Sequence, residues 1–401
     1  MTTAQEPRDY PFSAASGLHL DPTFAHLRAT EPVSRVRLPY GGDAWLVTSH
    51  EDIKTVFTDP RFSRFEAFGK ECPRPNPEVR TGPPTIIDLD PPHHTRLRKL
   101  VNKAFTARQT ELLRPRVEQV VTELLDRMEE KGSPADLLES LAYPLPMTVI
   151  CELLGVPLED RDKFHEWSDA MVAITSVSPQ ESEQAFADVM AYIANLVEER
   201  RRTPSDDMLG MLVAARDEGD KLSEEELVLF GVTLLIGGYE TTANQIGNFA
   251  YTLFTHPDQL HRLLTEPDIL DTAIEELSRY CPLLSEAGNV PRIAMADLEL
   301  GGVRIREGDA VFIELNSANR DDKVFPQADQ LDLGRTHNPH FGFGHGAHHC
   351  VGAQLAKVEM RAAIGALTSR FPKIRLAVPA QDVPWKDERR LRGAFALPVE
   401  W

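Results

Sequence analysis

Residues 338–360 constrain the fold more than any other stretch, because they place a cysteine between a glycine-rich loop and a helical pattern. The stretch reads NPHFGFGHGAHHCVGAQLAKVEM, and Cys350 stands at the junction. The positive end of a helix dipole favours a thiolate, which is the form of cysteine that binds metals. Gly344, Gly346 and Gly352 lack side chains, so the backbone can approach a flat ligand and direct N–H groups at the sulfur. The pattern therefore predicts an iron thiolate.

This stretch resembles the haem-binding signature of the cytochrome P-450 superfamily. The residues that carry the resemblance, at fixed spacing, are Phe343, Gly344, Gly346, His348, Cys350 and Gly352. The resemblance runs from the region around Trp45 to Phe395 and is closest to the soluble bacterial class. It implies a mainly α fold with a smaller β region, shaped as a triangular prism. It also implies haem b between a long central helix and the cysteine-bearing helix, with Cys350 as the axial ligand of the iron.

The residues alone leave two other interpretations of Cys350 open. A buried, inert thiol is a common fate of a lone cysteine, although a core thiol does not need so many glycines. A zinc site could combine His345, His348 and His349 with Cys350. Zinc ligands commonly come as spaced pairs, however, and the other three cysteines are far away in sequence.

The composition of the whole chain favours one domain spanning residues 1–401, because no linker, repeat or abrupt change interrupts it. The polar start and the lack of a long apolar run predict a cytoplasmic protein without a membrane segment. The 4 cysteines lack the density of a disulfide framework. A net charge of -19, from 43 basic and 62 acidic residues, argues against nucleic acid as a partner. We expect a monomer.

Turn and cap residues predict a hairpin near the N-terminus and then a nearly continuous helical middle. Strand-like runs at 33–40 and 44–49 flank Gly41-Gly42-Asp43, and Ser49 caps a helix that stops before Pro60. Residues 62–84 are too irregular for a regular element, and the resemblance makes them a loop beside the substrate pocket. Predicted helices then cover 90–109, 114–132, 143–155, 158–174 and 179–202. The resemblance makes the last two a lid.

A helix that starts after Asp90 carries His94 and Arg98 one turn apart on the same face, so both can reach one anion. On spacing alone, a solvated charged face is favoured. The resemblance instead places both residues on a haem propionate, and it assigns Arg292 and His348 to the propionates as well. Further basic residues extend a positive stripe along this segment: Arg96, Lys99, Lys103 and Arg108.

A long apolar helix is predicted from a Ser223 cap to a stop near His256, and it is hydrophobic almost all round, as a buried central helix would be. Gly237 and Gly238 interrupt it, although each interior glycine costs about 1 kcal/mol relative to alanine. The glycines could leave room for dioxygen, or the Thr241 hydroxyl could bond the Gly237 carbonyl and loosen the helix. Plain helix packing is the alternative. The resemblance makes Glu240 and Thr241 the catalytic acid and alcohol.

Glu276 and Arg279 lie three residues apart on one predicted helix face, where ion pairs are common and individually weak. The resemblance joins them to Arg335 in a structural network that supports folding. The stretch before Arg335 departs from the usual family wording, with Ala328 and Leu331 where proline and phenylalanine are frequent. The assignment of Arg335 is therefore weaker than that of the helix pair.

Several apolar residues occupy positions that, by the resemblance or by helical spacing, could contact substrate. A surface loop is an equally good explanation for Phe65 and Phe68, and core or strand packing is an equal or better one for the others. They are Phe65, Phe68, Met171, Ile174, Val177, Leu234, Leu284, Val290, Ala394 and Phe395.

The resemblance implies a monooxygenase that uses O2 to hydroxylate or epoxidise a hydrophobic small molecule, of the kind made in secondary metabolism, macrolides and other polyketides especially. The chain has no flavin or iron–sulfur motif, so electrons must come from NAD(P)H through a ferredoxin reductase and a ferredoxin. The stripe from Arg96 to Arg108, with Lys357 and Arg361, is a predicted docking face for an acidic ferredoxin. A haem-thiolate gas or redox sensor and a peroxide-driven peroxygenase are the alternative functions.

Overall fold

The computed structural model describes residues 6–12, 16–77, 79, 82–160, 163–164, 166–167, 170, 178–217, 222–387 and 389–401. Contacts divide the chain into two compact units. Unit 1 contains residues 1–95, 271–350 and 389–392, and unit 2 contains 96–270, 351–388 and 393–401. One domain spanning residues 1–401 stays a prediction.

Helices predominate in the part of the chain that the structure describes. In chain order they are α1 (Pro22–Thr30), α2 (His50–Thr58), α3 (His93–Ala104), α4 (Ala107–Lys131), α5 (Pro144–Leu154), α6 (Pro179–Arg202), α7 (Met208–Asp217), α8 (Glu224–Thr255), α9 (Pro257–Thr265), α10 (Leu270–Tyr280), α11 (Leu315–Ala318) and α12 (Ala353–Arg370). The strands are β1 (Arg8–Asp9), β2 (Val33–Arg37), β3 (Asp43–Val47), β4 (Phe62–Ser63), β5 (Ala135–Asp136), β6 (Arg292–Ala294), β7 (Leu298–Leu300), β8 (Val303–Ile305), β9 (Ala310–Ile313), β10 (Arg375–Leu376) and β11 (Pro398–Glu400).

Unit 1 is built on a sheet with the strand order β1-β2-β3-β9-β6-β4. The predicted hairpin is confirmed, because β2 and β3 pair antiparallel with Arg35 opposite Trp45. β9 joins β3 in parallel and β6 antiparallel, so Arg292 of β6 lies opposite Val311 of β9 on an interior strand of the sheet. Apolar clusters pack on this sheet, one around Phe341 and another around Phe312. The sheet thus gives Arg292 a fixed and buried position.

Unit 2 is organised around α8, which is 32 residues long and therefore about 48 Å from end to end. It begins with the predicted capping box, in which Ser223 and Glu226 satisfy each other's backbone N–H groups. α8 packs against α5, α6 and α12, and α12 also packs against α4. The small sheet β10-β11-β5 completes this unit. The predicted burial of α8 is confirmed along most of its length.

Three predicted boundaries were wrong. The helix predicted to reach residue 109 ends at Ala104, because the Thr106 side chain accepts a hydrogen bond from Gln109 N and caps the next helix. The next helix was predicted to begin at residue 114, but α4 begins at Ala107. It therefore contains Pro115 in its interior, although proline usually ends a helix. Within the predicted irregular stretch, Phe62 and Ser63 form β4, which pairs antiparallel with β6. The helix predicted at 158–174 falls largely outside the described residues.

None of the helices that the structure describes combines the length and the apolar character needed to cross a membrane.

A cluster of buried charged groups in unit 1 joins the segment after β1 to Glu286, which precedes β6, and to Glu314, which caps the start of α11. The Tyr10 hydroxyl donates to Glu314 Oε2 at 3.2 Å, and Phe12 N donates to Glu286 Oε2 at 3.0 Å. Arg392 Nη2 lies 3.8 Å from Glu286 Oε1. Burial and the Glu314 charge raise the pKa of Glu286 to about 8, although Arg392 opposes the shift.

We expect the free energy of unfolding to fall as the pH rises through the neutral range, in part because of Glu286. Its raised pKa means that the native state binds more protons than the unfolded state between the two pKa values. The stabilising contribution is complete below the unfolded pKa and is lost as the pH passes the folded pKa. Glu286→Gln should reduce this slope by up to about 1.4 kcal/mol per pH unit, measured by urea unfolding at several pH values. An unchanged slope would contradict the assignment.

Candidate functional site

The loop before Cys350 is a series of tight backbone turns within unit 1. Gly344 and Gly346 adopt left-handed conformations, with φ of 69° and 66°. Cys350 N donates to the Phe343 carbonyl at 2.8 Å, and His349 N donates to the Gly346 carbonyl at 3.1 Å. These bonds fix the backbone that leads into Cys350, and this residue is exposed. The structure thus presents Cys350 at the end of a rigid loop, directly before α12.

Gly346 also permits a close approach between the loop and the end of α2. A Cβ atom at residue 346 would lie 2.9 Å from the Phe57 carbonyl oxygen. The Phe57 ring lies 6.1 Å from the His345 ring and 4.8 Å from the Arg292 guanidinium. Phe57 therefore connects the cysteine loop to Arg292 on β6.

Arg292 is a buried cation without a full set of hydrogen-bond acceptors. Only 3% of the residue is exposed, and Nη2 has no hydrogen-bond partner among the described residues. Burial, together with the nearby Arg64 charge, lowers the pKa of Arg292 to about 9, although Asp90 partly compensates. A buried donor of this kind is costly unless an acceptor satisfies it. The geometry is therefore that of a site for an anion.

His94 and His348, which the sequence places far apart, meet in unit 1. Their ring centroids are 4.3 Å apart at an interplanar angle of 42°. His94 is buried near the start of α3, where its backbone N–H donates a hydrogen bond to the Asp90 carbonyl at 2.9 Å. Arg98 follows one turn later on the same helix, where its Nε donates to Asn102 Oδ1 at 2.9 Å.

The two glycines of α8 have different surroundings in unit 2. A Cβ atom on Gly238 would lie 3.0 Å from Ile150 Cδ1 of α5, so helix packing explains this glycine. Apart from its chain neighbours and the backbone of its own helix, no atom of the described residues lies within 4 Å of the corresponding position on Gly237. The Thr241 hydroxyl donates to the Gly237 carbonyl at 2.7 Å, as predicted. Thr241 Oγ1 is therefore fixed beside an open stretch of helix.

Glu240 points into the interior of unit 2, where it is 1% exposed. Its Oε1 accepts a hydrogen bond from Asn244 Nδ2 at 3.0 Å and lies 3.6 Å from Lys386 Nζ. Oε2 has no hydrogen-bond partner among the described residues. Sequence reasoning missed Asn244 and Lys386. The spacing of Glu240 and Asn244 could have indicated the first contact, but Lys386 comes from a distant segment that carries no local signal.

Glu276, Arg279 and Arg335 form a buried network in unit 1. Arg279 Nη2 and Nε bind the two carboxylate oxygens of Glu276 at 2.7 and 2.8 Å, and Arg335 Nε binds Oε2 at 3.1 Å. Arg279 also donates to the carbonyls of Asn319 and Ala328. Burial alone would raise the pKa of Glu276, but the Arg279 hydrogen bonds and charge outweigh it and lower the pKa. The structure thus brings all three predicted members together.

The residues predicted to contact substrate differ in exposure. Leu234 and Ala394 are buried, whereas Phe65, Leu284 and Phe395 are exposed. Phe68 and Val290 are half-buried. Met171, Ile174 and Val177 lie outside the described residues. Contact with substrate stays a prediction for each of them.

The predicted basic stripe is partly neutralised within unit 2. Both terminal nitrogens of Arg96 bind the carboxylate of Glu226. Arg114 and then Arg361 lower the pKa of Glu111 on α4. Leu112, next to Glu111, is 68% exposed. The surface at the start of α4 therefore combines an exposed apolar side chain with nearby arginines.

These observations fit a haem group better than a zinc ion. A haem needs one thiolate for its iron and hydrogen-bond donors for its two carboxylates. Unit 1 offers an exposed Cys350, a buried Arg292 and the His94–His348 pair. Zinc needs three or four converging ligands. Among the described residues, no group of three or more His, Cys, Asp and Glu side chains is placed to hold a metal ion.

A family model and curated relatives match this chain over nearly its whole length. The family model described as Cytochrome P450 matches residues 29–399. The chain is 46% identical over 399 residues to the mycinamicin IV hydroxylase/epoxidase of Micromonospora griseorubida, with 100% of each chain covered. It is 47% identical over 400 residues to the nocardicin C N-oxygenase of Nocardia uniformis subsp. tsuyamanensis, again with 100% of each covered.

A solved structure supports the same relationship. The LnmA cytochrome P450 hydroxylase from the leinamycin biosynthetic pathway of Streptomyces atroolivaceus S-140 superposes with a TM-score of 0.91. It is 49% identical in sequence, and the match covers 98% of this chain and 100% of that one. At this identity and coverage, the likeness extends over the whole fold.

Proposed function

This chain belongs to the cytochrome P450 family, and from that premise we propose that it hydroxylates or epoxidises a hydrophobic secondary metabolite of the polyketide or macrolide type. The observation that carries the proposal is the rigid glycine loop that presents Cys350 directly before α12. The relatives named above are a hydroxylase/epoxidase, an N-oxygenase and a hydroxylase, which supports oxygen insertion as the shared chemistry.

The residues of this chain would bind haem b in two ways. The Cys350 thiolate would bind the iron, and Arg292, His348, His94 and Arg98 would neutralise the two propionates. The glycines at 344, 346 and 352, with Phe343, would shape the backbone around the sulfur. When bound, thiolate-ligated haem iron would activate O2, so that one oxygen atom of O2 enters the substrate and the other leaves as water, with two electrons from the redox partner and two protons.

Glu240 and Thr241 would handle protons for this reaction. The Thr241 hydroxyl donates its own proton to the Gly237 carbonyl, so the lone pairs on Oγ1 can accept a hydrogen bond from a proton-donating water. Glu240 Oε2, which has no partner among the described residues, can take up and release a proton. Gly237 leaves space beside these groups.

Thr241→Ala should keep substrate binding but lower the product formed per NAD(P)H consumed by about tenfold. The variant loses the hydroxyl that orders the proton donor, so electrons are diverted to hydrogen peroxide. The measurement compares NAD(P)H consumption, peroxide and product for the same substrate. Thr241→Ser keeps the hydroxyl and serves as the matched control. Product coupling in Thr241→Ala equal to that of the parent protein would rule out this role.

We propose that an acidic ferredoxin, reduced by a ferredoxin reductase with NAD(P)H, docks on the surface that includes Arg108, Leu112, Lys357 and Arg361. Exposed Leu112 provides an apolar centre, and the arginines provide attraction over distance. Arg96 contributes less than the sequence suggested, since Glu226 binds it.

Raising the salt concentration from about 0.05 to 0.5 M should slow reduction by ferredoxin by about tenfold or more, because salt screens exposed charges. Stopped-flow reduction followed at the Soret band measures the rate. Reduction by dithionite over the same salt range is the control, and it should change little. A ferredoxin rate that does not depend on salt would contradict an electrostatic docking face.

The direct test of the proposed function is to identify a substrate and then follow its product. Compounds of the macrolide and polyketide classes are screened for a Soret shift on binding, and hits are incubated with ferredoxin, reductase, NAD(P)H and O2. A product heavier by one oxygen atom would support the proposal. Turnover with peroxide that far exceeds the ferredoxin-driven rate would favour a peroxygenase, and haem without any turnover would favour a sensor.

A further inference from the structure

Lys386 is a buried cation beside the acid of α8. Its side chain is 6% exposed and that of Glu240 is 2% exposed, and Lys386 Nζ lies 3.6 Å from Glu240 Oε1. A buried ammonium group is costly unless it has partners. Lys386 has a second partner in the Tyr143 hydroxyl, to which Nζ donates at 2.6 Å. The ammonium also lies 5.1 Å from the centre of the Tyr143 ring.

The backbone around Lys386 is held firmly. Lys386 N donates to the Gly393 carbonyl at 2.8 Å, and Phe395 N donates to the Pro384 carbonyl at 2.7 Å. Residues 384–386 and 393–395 are thus paired antiparallel around the bridge between Trp385 and Ala394. The Lys386 ammonium therefore approaches Glu240 from a backbone segment that hydrogen bonds hold in place.

Asn244 binds the same oxygen of the Glu240 carboxylate. Its Nδ2 donates to the Glu240 carbonyl at 2.8 Å and to Glu240 Oε1 at 3.0 Å. A Cβ atom at Gly393 would lie 1.9 Å from Asn244 Oδ1, so only glycine allows the C-terminal segment to approach Asn244 this closely. Lys386 and Asn244 therefore both contact Oε1 of Glu240. Oε2 has no hydrogen-bond partner among the described residues.

We propose that Lys386 is a positioning residue that orients the Glu240 carboxylate, so that Oε2 is the oxygen that exchanges protons during turnover. This inference rests on the proposed role of Glu240 as the acid. Lys386 does not need to touch substrate or haem. Its effect passes through the orientation of one carboxylate, which Tyr143 supports by fixing the ammonium.

The test uses the haem-loaded enzyme with its ferredoxin, and it compares Lys386→Met, Lys386→Arg, Glu240→Gln and the double variant Glu240→Gln with Lys386→Met. Lys386→Met should lower product per NAD(P)H by about tenfold while the spectral Kd for substrate stays within about twofold. Lys386→Arg keeps the charge and should recover most of the coupling. In the Glu240→Gln background, Lys386→Met should have no further effect, because its influence passes through Glu240.

A readout that does not depend on turnover tests the orientation itself. The infrared band of the Glu240 carboxylate is identified as the band lost in Glu240→Gln. It should shift in Lys386→Met and stay near its parental position in Lys131→Met, a control that removes one exposed positive charge. If Lys386→Met does not fold, Tyr143→Phe replaces it, with a loss of coupling of about threefold and a band shift in the same direction.

The possible failures can be told apart. If Glu240→Gln keeps the parental coupling, the proposed role of Glu240 as the acid is wrong. If Glu240→Gln loses coupling but Lys386→Met keeps both the coupling and the infrared band, Glu240 is the acid and this inference is wrong. An additional loss from Lys386→Met in the Glu240→Gln background would show that Lys386 acts on its own, which also overturns the inference.

Discussion

Replacing Cys350 with histidine should remove the thiolate signature from the spectrum of the reduced carbon monoxide complex and abolish product formation. Thiolate ligation donates electron density to the iron and favours O–O cleavage, whereas histidine ligation suits reversible oxygen binding. Mutation of catalytic groups that act in this way commonly lowers rates by several orders of magnitude. The measurements are the Soret position with carbon monoxide, the haem content and the product yield.

Cys72→Ala is the matched control for this prediction. Cys72 is half-buried within unit 1, where burial raises the pKa of its thiol, so it is a poor candidate for a thiolate ligand. Its removal should leave the Soret position unchanged. A thiolate spectrum that survives in Cys350→His but is lost in Cys72→Ala would identify Cys72 as the iron ligand. The proposed role of Cys350 would then be wrong.

The same spectra separate the alternative functions of the chain. A zinc-binding or haem-free protein would be colourless, in which case the assignment of Cys350 fails. A sensor would show the thiolate spectrum without turnover of any substrate. Comparison of turnover driven by ferredoxin and NAD(P)H with turnover driven by hydrogen peroxide then distinguishes monooxygenation from peroxide-driven chemistry, because only the former takes its electrons from an external donor.

The features that sequence predicted best depend on local physics. Ser49 and Ser223 each satisfy backbone N–H groups at the start of a helix, and such caps depend on a few neighbouring residues. Gly155 ends α5 in the left-handed conformation that glycine adopts easily. The Thr241–Gly237 hydrogen bond follows from a spacing of four residues within one helix. Each of these could be predicted without knowing what packs nearby.

What sequence could not predict depends on distant contacts. Spacing predicted Glu276 and Arg279 as a pair of the kind common on surfaces, but only the fold shows that both are fully buried. Gly237 and Gly238 look equivalent in sequence, yet only Gly238 faces a neighbouring helix in the described structure. Lys386 gave no signal at all, because its partner Glu240 belongs to another part of the chain. Family resemblance supplied a role for Arg292 that local patterns could not.

Removal of Arg279 should have the largest effect on stability of any single change discussed for unit 1. Arg279→Met should lower the free energy of unfolding by about 3–5 kcal/mol, because it leaves Glu276 as a buried charge with a weakened set of partners. It also removes donors from the carbonyls of Asn319, Ala328 and Gln330, which lie in the segment after α11. Buried acceptors that lose their donors add to the loss.

Two other arginines provide matched controls for Arg279→Met. Arg304 forms an exposed pair with Asp297, and Arg304→Met should cost less than about 1 kcal/mol. Arg335 gives Glu276 a single bond at 3.1 Å from a less buried position, so Arg335→Met should fall between the two. Urea unfolding at constant pH measures all three. If Arg279→Met were no more destabilising than Arg304→Met, the buried network would contribute no more than a surface ion pair, and its assignment as a folding element would be wrong.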